Sequence, residues 1–259
     1  MRGALWMLLA ALFAALPPDS TVVVIAHRGE HLHHPENTLP AFQAAIDMGA
    51  DFIEVDVRTT ADGRLVLMHD STVDARTDGH GEVSRFQFAQ IRALDAGSRM
   101  GKEFAGTRVP TFEEALDLAR GKIGVYVDCK AISADDLVAA LEKARMSDHA
   151  VIYGGARLLE RVAALRPALR VMPEADNPAV LRRLIETLHL CVAAFGARDF
   201  DDATIAVARA AGVEIYVDRL GAADNEAAWQ DAVERGAAGI QTDRPVELLA
   251  FLRSKGRHR

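Results

Sequence analysis

The chain has 259 residues, 50% of them hydrophobic and 26% charged, enough for one ordinary globular domain whose core needs neither disulfides nor a structural metal; disorder and collagen-like structure are excluded. Lys and Arg total 30 against 37 Asp and Glu, a formal net charge of −7, which is the wrong sign for a duplex-binding protein, so no nucleic-acid partner is expected and an anionic small substrate must be met by local cations. Cys129 and Cys191 share no metal-ligand spacing with His and are expected to be free, buried thiols.

Residues Ala4 to Leu16 form an uncharged apolar run behind Arg2, closed by Pro17, Pro18, Asp19 and Ser20. That is too short to span a bilayer as a helix and has the layout of a secretory signal peptide, with an uncleaved N-terminal anchor as the alternative. The expectation is an exported protein, periplasmic or extracellular, with residues 1–20 as signal or anchor and 21–259 as one domain.

The first apolar run, Val22 to Ala26, ends in His27 and Arg28. Asn37 or Thr38, followed by Leu39-Pro40-Ala41, predicts a capped helix over Leu39 to Met48. The second run, Phe52 to Val57, contains Glu54 and Asp56, two residues apart and therefore on one face of a strand. Only seven residues separate it from the third run, Leu65 to Met68, too few for a parallel crossover. Asp62-Gly63 predicts a hairpin turn instead, and a two-residue loop would set Asp56 opposite His69. His69 and Asp70 close the third run. Residues 71–107, rich in Gly, Asp and Arg, read as an insertion with one short helix near Ser84 to Arg92, serving either as a binding loop or as a packing flap.

A helix over Phe112 to Ala119 precedes the fourth run, Ile123 to Val127, which ends in Asp128 and Lys130. Further runs follow at Val151 to Tyr153, Leu169 to Met172, Leu190 to Ala194, Val213 to Val217 and Gly239 to Thr242. Helical patterns occur at Asp135 to Arg145, Pro178 to Leu188, Asp201 to Ala211 and Glu226 to Glu234. Asp243 before Pro245 reads as one more helix cap. Repeated strand and helix with near-continuous apolar strands predicts a parallel α/β domain, either a (β/α)8 barrel or an open doubly wound sheet. No G-x-G-x-x-G follows the first strand, so the dinucleotide-binding reason for the open sheet is missing.

In either architecture chemistry collects at the carboxyl ends of parallel strands, where His27, Arg28, His69, Asp70, Asp128 and Lys130 all fall. Glu54 and Asp56 within an apolar strand repel one another unless compensated, and with Asp128 they form a set of oxygen ligands for a hard divalent cation. The competing reading is a buried ion-pair network with Arg28 and Lys130. Lys130 is a separate cation for an anionic group. His27 and His69 lack the partners of a zinc site and suit general acid and base work at neutral pH. His31, His33 and His34 read as a polar rim.

Ala26-His27-Arg28-Gly29, Pro35-Glu36-Asn37-Thr38, Gly49-Ala50-Asp51, Ile53-Glu54-Val55-Asp56-Val57, Asp62-Gly63 and His69-Asp70 occur in the order and spacing that resembles the glycerophosphodiester phosphodiesterase family. Leu94-Asp95-Ala96-Gly97, Val109-Pro110-Thr111 and Thr242-Asp243 are similar to its later pattern. The resemblance runs from about Val22 to Pro245 and is dense from Ala26 to Asp70. It implies a TIM-type (β/α)8 barrel and metal-dependent hydrolysis of glycerophosphodiesters to glycerol 3-phosphate and an alcohol. It further implies Ca2+ or Mg2+ on Glu54, Asp56 and Asp128, catalysis by His27 and His69, phosphate binding by Arg28 and Lys130, and a supporting carboxylate at Glu36. A monomer acting on a small-molecule phosphodiester is expected, brought near a membrane if the N-terminal segment is an anchor.

The sequence departs from that pattern where Asp128 replaces the usual Glu, where Arg76 is displaced by one position in Ala75-Arg76-Thr77, at Tyr153-Gly154-Gly155, and at Tyr216-Val217-Asp218-Arg219. Two alternatives stand beside this reading: the apolar insertion and the export signal suggest a lysophospholipase D-like or other lipid head-group phosphodiesterase, and the altered fourth, fifth and eighth strands suggest a barrel that binds phosphodiesters without cleaving them.

Overall fold

The computed structural model describes residues 21–196 and 198–259. The signal or anchor segment, 1–20, lies outside the described residues. Nine strands form, at the nine apolar runs: β1 Val23–Ala26, β2 Phe52–Thr59, β3 Leu65–Leu67, β4 Gly124–Ala131, β5 Ala150–Tyr153, β6 Arg170–Met172, β7 Val192–Phe195, β8 Glu214–Arg219 and β9 Gly239–Thr242. The helices are α1 Leu39–Met48, α2 Phe88–Ala93, α3 Phe112–Ala119, α4 Ala134–Ala144, α5 Ala156–Leu165, α6 Pro178–Leu188, α7 Asp202–Ala210, α8 Glu226–Glu234 and α9 Pro245–Ser254.

The parallel strands run in the order β6-β5-β4-β2-β1-β9-β8-β7. A parallel bridge between Glu174 and Ala194 joins the two ends of that order, with Ala175 N–H donating to Ala194 O at 2.8 Å and Ala194 N–H to Pro173 O at 2.9 Å. The ring closes as an eight-stranded TIM-type barrel, and β3 is the extra strand, antiparallel on β2. Alternation sorts the side chains. Ile25, Tyr126, Val151, Met172, Val192 and Tyr216 fill the lumen, while Val24, Ile53, Val55, Val125 and Val127 pack outward against the helices. Each such side chain contributes roughly 1.5–3 kcal/mol by leaving water. Cys129 has outward parity and packs with the helix layer. Cys191, expected buried, is exposed just before β7; both thiols are free.

The β2–β3 hairpin corrects the predicted register. Thr60 N–H donates to Arg64 O at 2.9 Å, so Ala61, Asp62 and Gly63 make a three-residue loop with Gly63 at φ +77, the left-handed position such loops require. Everything beyond it shifts by one: Asp56 faces Met68, whose N–H donates to Asp56 O at 2.9 Å, rather than His69.

The insertion is a packing flap with its own small core, in which Val66, Met68, Val73, Val83, Ile91 and Val109 are buried together. Its helix is α2, starting four residues later than predicted. Arg92 at its end clamps Glu114 with contacts of 2.6 and 2.8 Å, and Glu114 closes the capping box with Thr111 that starts α3. The sequence reading did not include α5, whose start at Gly155 has no side-chain cap.

One glycine carries the turn that begins the site. Gly29 sits at φ +81, and a Cβ there would lie 2.8 Å from the carbonyl carbon of Ala41 in α1. Gly29→Ala is expected to cost on the order of 3 kcal/mol, from left-handed strain plus backbone overlap. A urea midpoint unchanged from wild type would show that the turn can relax.

Candidate active site

The turn after β1 presents two groups to the barrel mouth. Gly29 N–H donates to Ala26 O at 3.1 Å, and Arg28 adopts φ +54, uncommon for a side-chain-bearing residue. In that conformation the Arg28 N–H donates to Glu54 Oε2 at 2.8 Å. Its Nη1 contacts both Glu36 oxygens at 3.1 and 3.2 Å, while Nε lies 3.5 Å from Asp56 Oδ2. Glu36 also takes Arg76 Nε at 3.0 Å, so the displaced arginine of the insertion reaches the site through Glu36.

His27 is held by a residue the sequence reading had placed at a helix cap. Its Nδ1 lies 2.7 Å from Asp243 Oδ1, and Asp243 Oδ2 accepts the Gly221 N–H at 2.8 Å. Burial alone would raise the Asp243 pKa, but these hydrogen bonds and the nearby imidazoles hold it at about 2. An ionised Asp243 can only accept, so His27 carries its proton on Nδ1 and leaves Nε2 free. Burial lowers the His27 pKa against the pull of Asp243, which keeps the ring neutral near pH 7. Asp243 is fixed in turn by Asp224, which accepts its N–H at 2.7 Å, the Thr242 hydroxyl at 2.8 Å and the Trp229 indole at 2.7 Å. Thr-Asp before Pro was the available signal, and it was read as a cap because Asp commonly caps helices.

His31 was expected on a polar rim, but its Nδ1 lies 2.7 Å from His27 O and its ring packs edge-on against His27. His33 and His34 instead flank the buried Glu30 at 2.8 and 2.7 Å.

His69 follows β3, its Nδ1 2.8 Å from Asp70 Oδ1; that bond lowers the Asp70 pKa. Arg58 donates to His69 O at 2.6 Å and Met68 O at 3.1 Å, fixing the backbone from which the ring projects.

Glu54, Asp56 and Asp128 converge, each with a carboxylate oxygen within 4.8 Å of the others. The reason is register: Asp56 pairs with Asp128 across β2 and β4, and Glu54 shares their inward parity. Asp128 therefore reaches the cluster despite its shorter side chain. Lys130 Nζ lies 2.7 Å from Asp128 Oδ2 and 3.3 Å from Asp56 Oδ1. Asn37, the other expected cap candidate, is buried at φ +54 and exchanges two hydrogen bonds with Asp56, 2.7 Å from its Nδ2 and 3.1 Å to its Oδ1. Thr38 occupies the cap position of α1 without capping it. Burial first, then Asp56 and Asp128, push the Glu54 pKa well up; burial also raises Asp128. The expected ion pairs are present, Lys130 and Arg28 pairing with the carboxylates while Glu36 engages Arg28 elsewhere. The excess negative charge on three clustered carboxylates fits a hard divalent cation.

A separate cavity of about 400 Å³ lies at the opposite end of the barrel, lined by Leu169, Arg170, Leu190 and Cys191. It contains neither His27 nor His69 and none of the clustered carboxylates, so the chemistry belongs to the mouth.

The chain is similar to several known proteins. A glycerophosphodiester phosphodiesterase of Caldanaerobacter subterraneus subsp. tengcongensis is 50% identical over 100 residues, 39% of this chain and 41% of the relative. One of Bacillus subtilis is 35% identical over 144 residues, 51% of this chain and 49% of the relative. The matched segments thus span less than half the length of these curated relatives. The crystal structure of a glycerophosphodiester phosphodiesterase from Agrobacterium tumefaciens superposes with TM-score 0.78 at 29% identity, covering 88% of this chain and 99% of the other. A phosphodiesterase of Oleispira antarctica, solved in complex with the product sn-glycerol-3-phosphate, shares the fold with TM-score 0.82 at 24% identity over 90% of this chain and 97% of that one. The model of the glycerophosphoryl diester phosphodiesterase family matches residues 27–247, from His27 through Asp243 and beyond, and the chain belongs to that family.

Proposed function

We propose that this protein hydrolyses glycerophosphodiesters to glycerol 3-phosphate and an alcohol, with Ca2+ or Mg2+ held by Glu54, Asp56 and Asp128. The observation that carries the reading is one turn: Arg28 N–H holds Glu54 while the adjacent His27 is oriented by Asp243. The names of the relatives support the same activity. A divalent cation at the carboxylates supplies positive charge to the phosphate oxygens. Lys130 and Arg28 add two fixed cations beside it, Arg28 being steadied by Glu36. Neutral His27 takes, at Nε2, the proton of the nucleophile, which is either water, giving glycerol 3-phosphate directly, or a glycerol hydroxyl, giving a cyclic phosphate that water then opens to glycerol 3-phosphate. As the new P–O bond forms and the bond to the alcohol breaks, His69 gives a proton to the departing oxygen.

The test is glycerol 3-phosphate release from glycerophosphodiesters by EDTA-stripped protein with Ca2+, Mg2+ or neither restored. Release that returns only with metal is the expected result, and folded protein inactive under every condition would refute the reading.

Asp243→Asn tests the orienting role. Its kcat should fall roughly 100-fold. Because Asp243 raises the His27 pKa, removing its charge should also move the acid limb of the pH profile to lower pH. A limb that stays in place would separate Asp243 from the titrating base.

A further inference from the structure

On the far side of the mouth, the ends of β5 to β8 bring Tyr153, Glu174, Asp199 and Asp218 together. Tyr153 Oη donates to Glu174 Oε2 at 2.8 Å, Asp199 Oδ2 accepts the Asp176 N–H at 3.0 Å, and Asp218 Oδ1 accepts Gln241 Nε2 at 3.1 Å. Among the described residues, none of the three carboxyl groups forms an ion pair with Lys, Arg or His. Burial, and then their mutual repulsion, raises the pKa of Glu174 and of Asp218, the latter to about 7. Carboxylates left without a cation are costly in a protein interior.

An independent observation points to what would complete this cluster. Gln241 is only 6% exposed, lies in register with Asp218 on the neighbouring strand, and directs its amide to that carboxylate. Its Oε1 is buried and accepts no hydrogen bond from the described residues. A buried acceptor without a donor is rare, and here it accompanies three carboxyl groups that are also acceptors when ionised. The group that satisfies all of them carries positive charge and several N–H donors. Tyr153 is also in register with Asp128, so this second cluster begins one strand spacing, ~4.8 Å, from Glu54, Asp56 and Asp128.

We propose that Glu174, Asp199, Asp218 and Gln241 form the subsite for the departing alcohol and select one that carries a primary ammonium group over a neutral one. This rests on the diester reading above and adds the substrate class. The positive charge of the ammonium meets the carboxylates, and its N–H groups reach the Gln241 oxygen.

The experiment compares kcat/KM for glycerophosphoethanolamine with that for glycerophosphoglycerol, whose second arm is neutral, using the full chain with metal. Wild type should favour the ammonium diester about tenfold, equivalent to about 1.4 kcal/mol. In Glu174→Gln, and separately in Asp218→Asn, that ratio should fall toward one. A wild-type ratio near one overturns the proposal. So does an equal loss on both diesters in the variants, because it would place these carboxyl groups on the glycerol arm that the substrates share. A second readout is independent of turnover: ethanolamine should raise the Tm of wild type more than 1-propanol does, and this gain should vanish in Glu174→Gln. If neither diester is cleaved, the diester reading fails, while an ethanolamine-specific shift lost in the variant still supports the ammonium site. Absence of that shift overturns the ammonium site.

Discussion

His27→Ala and His69→Ala are each expected to lower kcat by about 10³-fold while the fold persists. Acid and base catalysis by a positioned side chain contributes typically 10²–10⁴-fold, and no second imidazole takes over either role. His31 packs edge-on to His27 but its Nδ1 is committed to the His27 carbonyl at 2.7 Å, so it cannot substitute without moving. The stability cost is small: His27→Ala gives up one side-chain hydrogen bond to Asp243, worth about 1 kcal/mol, and Asp243 keeps the Gly221 N–H. For a domain of this size that is a change in Tm of about 2–4 °C. The two variants should differ in pH dependence. In His69→Ala the base is intact, so residual activity should retain an acid limb below pH 6.5, because burial depresses the His27 pKa and the active neutral form persists until pH falls through that lowered value. In His27→Ala this limb should be gone. Full activity in a folded variant would remove that histidine from the chemistry, and an acid limb that survives in His27→Ala would remove His27 as the base.

The barrel was legible because period and length suffice for it. Each of the nine strands lies on an apolar run, and the excess over eight is resolved by the seven residues between the second and third runs, which no crossover can fit into. What the sequence could not fix was the length of that hairpin loop. Asp62-Gly63 signals a turn, but two- and three-residue loops both accept it, and only the closing pair of Thr60 with Arg64 decides. The helix α5 lies outside the patterns read from the sequence, and its start at Gly155 has no side-chain cap, whereas Asn177 caps α6 and Asp201 caps α7.

In the site, residues adjacent in sequence or sharing strand parity were recoverable: Glu54 with Asp56, Asp128 with Lys130, His27 with Arg28. Partners joined only by closure of the barrel were not. Asp243 is 216 positions from His27, and nothing local separates it from a helix cap. Asn37 was likewise read by its neighbours Thr38 and Pro40. Its left-handed backbone turns the side chain away from α1 and onto Asp56. The grouping of Glu174, Asp199 and Asp218 depends on the bridge between Glu174 and Ala194 that completes the ring, a contact no pattern in either segment announces.

Glu54→Gln should reverse its rank against wild type depending on metal. Without metal, Glu54 is a buried carboxyl beside two others, and its folded pKa lies well above the ordinary value near 4.5. The folded chain then binds that proton more tightly than the unfolded chain does, so the stability it contributes is complete below about pH 4.5 and is lost as pH rises toward the folded value. Gln carries no such charge, can accept the Arg28 N–H as Glu54 does, and can donate its amide toward Asp56 or Asp128. In EDTA at pH 8, Glu54→Gln should therefore melt above wild type. With Ca2+ at 100 times its dissociation constant, wild type gains about 2.7 kcal/mol, roughly 5–10 °C for a domain of this size. The variant, with two carboxylates in place of three, should gain little at the same concentration, and its kcat/KM should fall by about 10³-fold. Thermal melts at pH 5 and pH 8, with EDTA or Ca2+, check every part. A variant that responds to Ca2+ as wild type does would move the metal away from Glu54. A variant that melts below wild type in EDTA at pH 8 would make Glu54 a member of a stabilising ion-pair network with Arg28 and Lys130 rather than a carboxylate held in readiness for a cation.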